Sequence, residues 1–230
     1  MRHLSFSLAL CAVLGLGCSS ESLSEPGSDG TTPGASGGAA EAVGASFSAL
    51  EYPPGPYGRD VGSVIENLGF LGWKEPASAD YDPARLEAVR LSDFYNPGGT
   101  KNDVRVLVVN ASAVWCTVCR AEYGHIQGTD IYERYRPNGV EILGVLFEDR
   151  SAGPATPQDL SDWAGGDGFG IEFPFVLDPA FKIGVYFTSD ATPLNMVIDA
   201  TTMQILDVSM GYDSSNPEAY WTAIDAWIGD

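Results

Sequence analysis

The chain has 230 residues, and its hydrophobic content of 44% is ordinary for a globular protein with a buried core. Its formal net charge is −19 at pH 7. So acidic a surface would repel phosphate groups, which excludes nucleic acid from the expected partners. The charge favours solubility and identifies no partner by itself.

The first residues have the parts of a secretory signal. Arg2 and His3 give a positive start, and an apolar run follows over residues 4–16. This run is too short to cross a bilayer, which takes roughly 20 helical residues. The Gly-Cys end resembles a bacterial lipoprotein signal, which implies that residues 1–17 are removed and Cys18 is lipidated. The alternative is plain secretion with cleavage nearby.

Residues 18–46 contain little besides Ser, Gly, Ala, Pro and Glu. Such a segment cannot bury enough apolar area to offset its ordering entropy, so it is predicted to be a disordered tether. Residues 47–230 then suit one domain. We expect an exported envelope lipoprotein that faces the periplasm or the cell surface, acts as a monomer and contacts the membrane through its N-terminal lipid.

The chain contains four cysteines. Cys11 and Cys18 fall in the signal region, which leaves Cys116 and Cys119 as one thiol pair of the exported domain, where disulfides persist. A bridge between residues this close constrains almost no loop and adds little stability through loop entropy. The pair is therefore interpreted as chemical rather than structural.

The domain begins with weak signals, a strand over residues 61–70 and at least one helical turn over 83–89. Residues 105–110 and 140–147 are apolar and β-branched, which predicts two buried parallel strands. A helix from Cys116 to about residue 136 joins them.

An insert at residues 151–170 contains a helix candidate, Pro157–Ala164. Residues 193–199 and 203–210 then predict two antiparallel strands. A last helix begins at Pro217, with Tyr220, Trp221, Ile224 and Trp227 on one stripe.

Residues 106–122, which contain the sequence Trp-Cys-Thr-Val-Cys, resemble the active-site segment of thioredoxin-like proteins. The resemblance is to the exported, membrane-tethered branch that handles disulfides in the bacterial envelope, including cytochrome c maturation thioredoxins. Three further blocks agree in order and spacing, which is more specific than a lone C-x-x-C: residues 91–95, 171–178 and 191–199.

The resemblance covers roughly residues 55–229. It implies an α/β thioredoxin fold of three layers, with a mixed sheet of about five strands and helices on both faces. An N-terminal extension and an insert before the cis-proline strand would be additions. The implied activity is thiol–disulfide exchange with protein thiols and with an upstream electron donor or acceptor, with no cofactor beyond the redox-active Cys116–Cys119 disulfide.

The chemistry of the cysteine pair can also be predicted from its position in the sequence, without the family resemblance. Cys116 lies where a strand gives way to a helix, and the free N–H groups and helix dipole there favour a thiolate. This thiolate would attack a substrate disulfide. Cys119, about one turn later, would resolve the mixed disulfide.

Four other residues are candidates for supporting roles. The resemblance implies a cis Thr192–Pro193 bond that faces the dithiol and positions substrate, although a proline can also simply begin a strand. Trp115 either shapes the substrate contact or packs as an ordinary aromatic. Glu122 either relays protons for Cys119, or disfavours its thiolate by like charge, or is an exposed helix carboxylate.

Two departures from the family leave the direction of exchange open. Asn110 stands where thioredoxins have a buried Asp, so water or Glu122 would have to accept protons. Thr117 and Val118 replace the proline-containing pair usual between the cysteines, and this dipeptide influences the redox potential.

Other functions remain as alternatives. Zinc needs about four ligands, and His125 is the only histidine beyond residue 17. We therefore expect no metal site, but a binding or metal-carrying module on the same fold is an alternative. A thiol peroxidase is another, although Ala113 stands where a peroxiredoxin would have threonine.

Overall fold

The computed structural model describes residues 51–99 and 103–228. The predicted signal, the tether and the lipidation site Cys18 lie outside the described residues. Within the described part of the chain, no helix is both long and apolar enough to span a bilayer.

Seven strands form one mixed sheet. They are β1 (Gly69–Trp73), β2 (Glu87–Arg90), β3 (Val106–Ala113), β4 (Val140–Glu148), β5 (Phe175–Leu177), β6 (Leu194–Asp199) and β7 (Gln204–Met210). Their order across the sheet is β2-β1-β5-β4-β3-β6-β7. Strands β3, β4 and β5 are parallel, whereas β6 runs antiparallel to β3, and β7 to β6. At the other edge β1 pairs antiparallel with both β5 and β2.

The described part of the chain contains four α-helices. They are α1 (Thr117–Gly128), α2 (Ile131–Tyr135), α3 (Pro157–Ala164) and α4 (Ala219–Ile228). Short 3₁₀ helices connect the elements at Ala77–Ala79, Pro83–Arg85, Leu91–Asp93, Arg136–Asn138 and Lys182–Tyr186.

The sheet centre confirms the prediction from the two apolar runs. All eight residues of β3 are buried, as are the first eight of β4. Successive side chains point to opposite sides of a strand, so burial of every position means that both faces are covered. The α/β fold predicted from the sequence is therefore confirmed around this centre.

The sheet has two strands beyond the expected core of about five, and both come from the predicted N-terminal extension. The strand predicted over 61–70 starts later, at Gly69, and Val64 forms only an isolated bridge. The helical turn predicted over 83–89 is also wrong in its second half. Pro83–Arg85 makes one 3₁₀ turn, and Glu87–Arg90 then forms β2, whose four residues are too few to show a strand period.

The helix predicted from Cys116 to about residue 136 is interrupted. α1 ends at Gly128, and Asp130 adopts a left-handed conformation with φ 52° before α2 begins. Thr129 donates its hydroxyl and its backbone N–H to the carbonyl of His125, which closes the first helix. Gly, Thr and Asp are all poor helix formers, and three in a row permit the break.

The insert completes the core of the domain. Trp163 of α3 is 2% exposed and packs edge-on against Tyr123 of α1, with 5.4 Å between ring centroids. Phe169 contacts both rings. In the last helix Trp221 and Ile224 are buried, but Trp227 is 44% exposed, so the predicted stripe is narrower than expected.

Candidate functional site

The cysteine pair lies at the junction that the sequence predicts. β3 ends at Ala113, and Cys116 is the N-cap residue of α1. Cys116 and Cys119 are joined by a disulfide with 5.3 Å between their Cα atoms. The backbone N–H of Cys119 donates to Sγ of Cys116 at 3.0 Å, so a helix-start donor is directed at this sulfur.

Cys116 is the cysteine that borders the substrate-positioning residues expected from the sequence. The hydroxyl of Thr192 donates to Sγ of Cys116 at 3.2 Å, across 76 positions of the chain. The Thr192–Pro193 bond is cis. Cys119 has no exposed surface. Cys116 is itself only 3% exposed, so its contact with Thr192 is what distinguishes it. The structure therefore brings Cys116, Thr192 and Pro193 together.

Trp115 is 43% exposed beside the disulfide. Its indole Nε1 donates to Oε2 of Glu148 at 2.7 Å, at the carboxyl end of β4. An aromatic side chain held by a hydrogen bond yet left exposed is suited to contact a partner rather than to fill the core. Sequence reasoning missed Glu148, which carries no local motif.

Glu122 is a buried carboxylate, 1% exposed, so its interpretation as an exposed helix residue is wrong. Asn110 donates its Nδ2 to Oε2 of Glu122 at 2.6 Å, and Asn195 donates its Nδ2 to Oε1 at 2.7 Å. Burial raises the pKa of Glu122 to about 7, and the two amide hydrogen bonds lower it in part.

Asn110 occupies the centre of this polar network. Its Nδ2 also donates to Oδ1 of Asn195 at 2.8 Å, and its own Oδ1 accepts a hydrogen bond from Ser112 at 2.9 Å. The position that holds Asp in thioredoxins thus holds an amide here, and the carboxylate comes from α1 instead. Asn195 was missed from the sequence, where its only signal is an amide inside an apolar strand.

Two clefts open on different residues of this site. One, of about 480 Å³, is lined by Trp115, Glu148, Thr192 and aromatic residues of the 181–187 segment. The other, of about 490 Å³, is lined by Glu122, Asn195 and the segment that joins β7 to α4. Thr192, which contacts Cys116, therefore lines the first cleft, and Glu122 lines the second.

The described residues contain no group of three or more His, Cys, Asp or Glu side chains placed to hold a metal. Nε2 of His125 lies 3.4 Å from Oε1 of Glu218, the residue directly before α4. The histidine thus has a surface partner on the C-terminal segment.

No protein-family model matches the chain, and no curated protein matches it significantly. Solved structures do resemble it. A protein named as the thiol:disulfide interchange protein DsbE from Chlorobium tepidum is similar with a TM-score of 0.56 and 19% identity, over 75% of this chain and 100% of that one.

Two others are similar at the same level. A secreted thiol-disulfide isomerase from Corynebacterium glutamicum has a TM-score of 0.51 and 20% identity, over 72% of this chain and 83% of that one. The thioredoxin domain of a thiol-disulfide oxidoreductase from Bacteroides vulgatus has a TM-score of 0.50 and 16% identity, over 73% and 98%. The chain has the thioredoxin fold. Identities this low show the fold alone.

Proposed function

We propose that the protein is a thiol–disulfide oxidoreductase that exchanges disulfides with protein thiols through Cys116 and Cys119. The observation that carries the proposal is the setting of Cys116. Its sulfur is bonded to Cys119, lies at the start of α1 and accepts a hydrogen bond from Thr192, the residue before the cis-proline.

Cys116 is the nucleophile in this proposal. After reduction, the Cys119 N–H and the Thr192 hydroxyl are positioned to stabilise a thiolate on its sulfur, and the helix dipole adds to them. The thiolate attacks a substrate disulfide and releases one substrate thiolate. The sulfur of Cys119 then attacks the mixed disulfide, which releases the second substrate thiol and reforms the Cys116–Cys119 bond. The reverse sequence oxidises a dithiol.

Substrate is positioned by Trp115, Thr192 and Pro193. The last pair of the β3–β6 ladder joins Ala111 to Leu194, so the backbone of Thr192 lies just beyond the sheet. A substrate segment next to Cys116 can pair with it in the manner of an added strand. The exposed Trp115, which directly precedes Cys116, offers a second surface for the substrate.

Glu122 serves as proton relay for Cys119. The two residues are three positions apart on α1 and therefore share a helix face. The thiol of Cys119 must lose a proton before it resolves the mixed disulfide, and a carboxyl group with a pKa of about 7 exchanges protons readily at neutral pH. Glu122 is 1% exposed and lines the cleft of about 490 Å³, so a proton that leaves the site would pass through that cleft.

The cellular setting belongs to the same proposal. Export agrees with the secreted Corynebacterium relative of similar fold and with the leader-like start of the sequence. We propose that Cys18 carries a lipid which holds a monomeric protein at the bacterial envelope, where an upstream electron donor or acceptor renews the dithiol. No cofactor other than the disulfide is required.

Reduction of insulin and oxidation of a reduced scrambled protein by the purified chain test the proposal. Cys116→Ser should abolish both, whereas Cys119→Ser should accumulate a mixed disulfide with substrate. Cys18→Ser is the matched control, because it removes a cysteine and the lipid site but keeps the dithiol. It should retain activity and leave the membrane fraction. Full activity in Cys116→Ser would refute the assignment.

The direction of exchange follows from the midpoint potential of the dithiol. A value near roughly −270 mV in a glutathione series would make the protein a reductant, whereas a value well above roughly −200 mV would make it an oxidant or isomerase.

A further inference from the structure

The cleft beside Cys116 has an unusual combination of walls. We call it the aromatic cleft. Aromatic residues, two carboxylates and the substrate-positioning Thr192 line it. Its principal residues are Trp115, Phe147, Phe181, Phe187, Glu148 and Asp190.

Three phenylalanines form its apolar wall. Phe147 and Phe181 lie 4.6 Å apart between ring centroids, and Phe187 lies 5.7 Å from the first and 5.3 Å from the second. Phe147 is buried as the floor, whereas Phe181 is 41% exposed. Part of the Phe181 side chain is therefore available to something outside the protein.

The backbone keeps Phe181 in this exposed position. Phe181 has a φ of 49°, a left-handed conformation that is uncommon for a bulky residue. A Cβ at Gly184 would collide with the Phe181 ring, so glycine at that position leaves room for the ring to lie over the backbone. Local strain and exposure of a large apolar side chain together point to a contact surface.

The rim of the cleft is acidic. Glu148 and Asp190 line it, and no Lys or Arg is among the described residues that do. One oxygen of Glu148 accepts the hydrogen bond from Trp115, so its second oxygen is free to accept another. Aromatic faces bind cations, and nearby carboxylates strengthen that preference.

We propose that the aromatic cleft binds an arginine or lysine side chain that lies next to the reacting cysteine of the protein substrate. The aliphatic stem would pack on the accessible parts of Phe181 and Phe187, and the charged end would reach Glu148 and Asp190. This selection of substrate rests on the proposed thiol–disulfide exchange and extends it.

The position of the cleft supports a residue adjacent to the substrate cysteine. Thr192 lines the cleft and also donates to Sγ of Cys116 at 3.2 Å. Trp115, which also lines the cleft, precedes Cys116 directly. An extended segment advances about 3.3 Å per residue, so a neighbour of the reacting cysteine falls within the cleft.

The test uses disulfide-bridged peptides that differ only in one residue flanking a cysteine, either arginine, norleucine or glutamate. The reduced full chain transfers two electrons to each peptide, and its own dithiol becomes the disulfide. Each second-order rate constant is divided by the rate constant with dithiothreitol, which removes the intrinsic effect of the flanking charge. The arginine peptide should be favoured over norleucine by about tenfold at low salt, and less as salt is added.

Variants identify the source of the preference. The double variant Glu148→Gln, Asp190→Asn keeps the shape of both side chains, and Phe181→Leu keeps an apolar wall without a ring face. Both should bring the arginine-to-norleucine ratio close to one. Asp80→Asn, at an exposed carboxylate in the turn after β1, is the matched control and should keep the preference.

The outcomes separate this inference from the function on which it rests. Equal corrected rates for arginine and norleucine, with activity still dependent on Cys116, would overturn the cleft assignment alone. An unchanged preference in the double variant would overturn it too. Reduction of every peptide by Cys116→Ser would instead refute the exchange reaction itself.

Discussion

The buried carboxylate of Glu122 makes the stability of the protein depend on pH in a way that Glu122→Gln should remove. The substitution keeps the size of the side chain and removes its titration. In the native protein both carboxylate oxygens accept hydrogen bonds, one from Asn110 and one from Asn195. A glutamine would turn its NH₂ group toward one of these donors, so some loss of stability at all pH values is expected as well.

The magnitude follows from the pKa of Glu122, which burial raises from 4.5 to about 7. The folded state therefore holds this proton more tightly than the unfolded state does. This difference adds to the free energy of unfolding. The contribution is fully present below pH 4.5 and is lost as the pH rises through 7. At 1.36 kcal/mol per unit, the loss is about 3 kcal/mol, and the glutamine variant should not show it.

Urea unfolding of the oxidised protein at intervals from pH 4.5 to 8 measures this directly, because the disulfide keeps the two cysteines from titrating. The wild-type free energy should fall relative to that of Glu122→Gln by about 3 kcal/mol across the range. Glu87→Gln, at an exposed carboxylate of β2, should follow the wild type. Parallel curves for wild type and Glu122→Gln, within about 0.5 kcal/mol, would refute the reasoning.

Three further predictions concern the site and the core. Thr192→Val removes the hydroxyl donor to Cys116, so about 1 kcal/mol of thiolate stabilisation is lost and alkylation of the reduced protein by iodoacetamide at pH 7 should slow about fivefold. An unchanged rate would contradict the contact. Gly144→Ala places a methyl group against the Phe175 ring and should cost about 1–3 kcal/mol in urea unfolding. Trp163→Ala should cost about 3–5 kcal/mol, and a loss below about 1 kcal/mol would mean that the insert is not part of the core.

Local sequence patterns were sufficient to predict the central strand and the position of the cysteine pair. The run that became β3 is continuously apolar because both of its faces are buried, and such a run is visible without a structure. Cys116 and Cys119 follow it at a spacing that places both at the start of a helix. The structure places both residues in the first turn of α1 or at its N-cap.

The predictions that failed concern features that depend on contacts between residues far apart in the sequence. β2 is four residues long and is stabilised by pairing with β1. Nothing in its own short sequence therefore contradicted the predicted helical turn. The burial of Glu122 depends on Asn110 and Asn195, which lie 12 and 73 positions away. A helix pattern cannot show which carboxylate will be covered by two neighbouring strands.

The arrangement of β3 and β6 separates the two parts of the proposed reaction. Thr192 and Pro193 precede β6 and lie against Cys116, whereas Asn195, just inside the strand, pairs with Asn110 and binds Glu122. A substrate held at Thr192 would occupy the aromatic cleft and leave the cleft of Glu122 open to water. Because Cys119 must lose its proton while substrate is still bound to Cys116, a proton route away from the substrate face allows resolution without prior release.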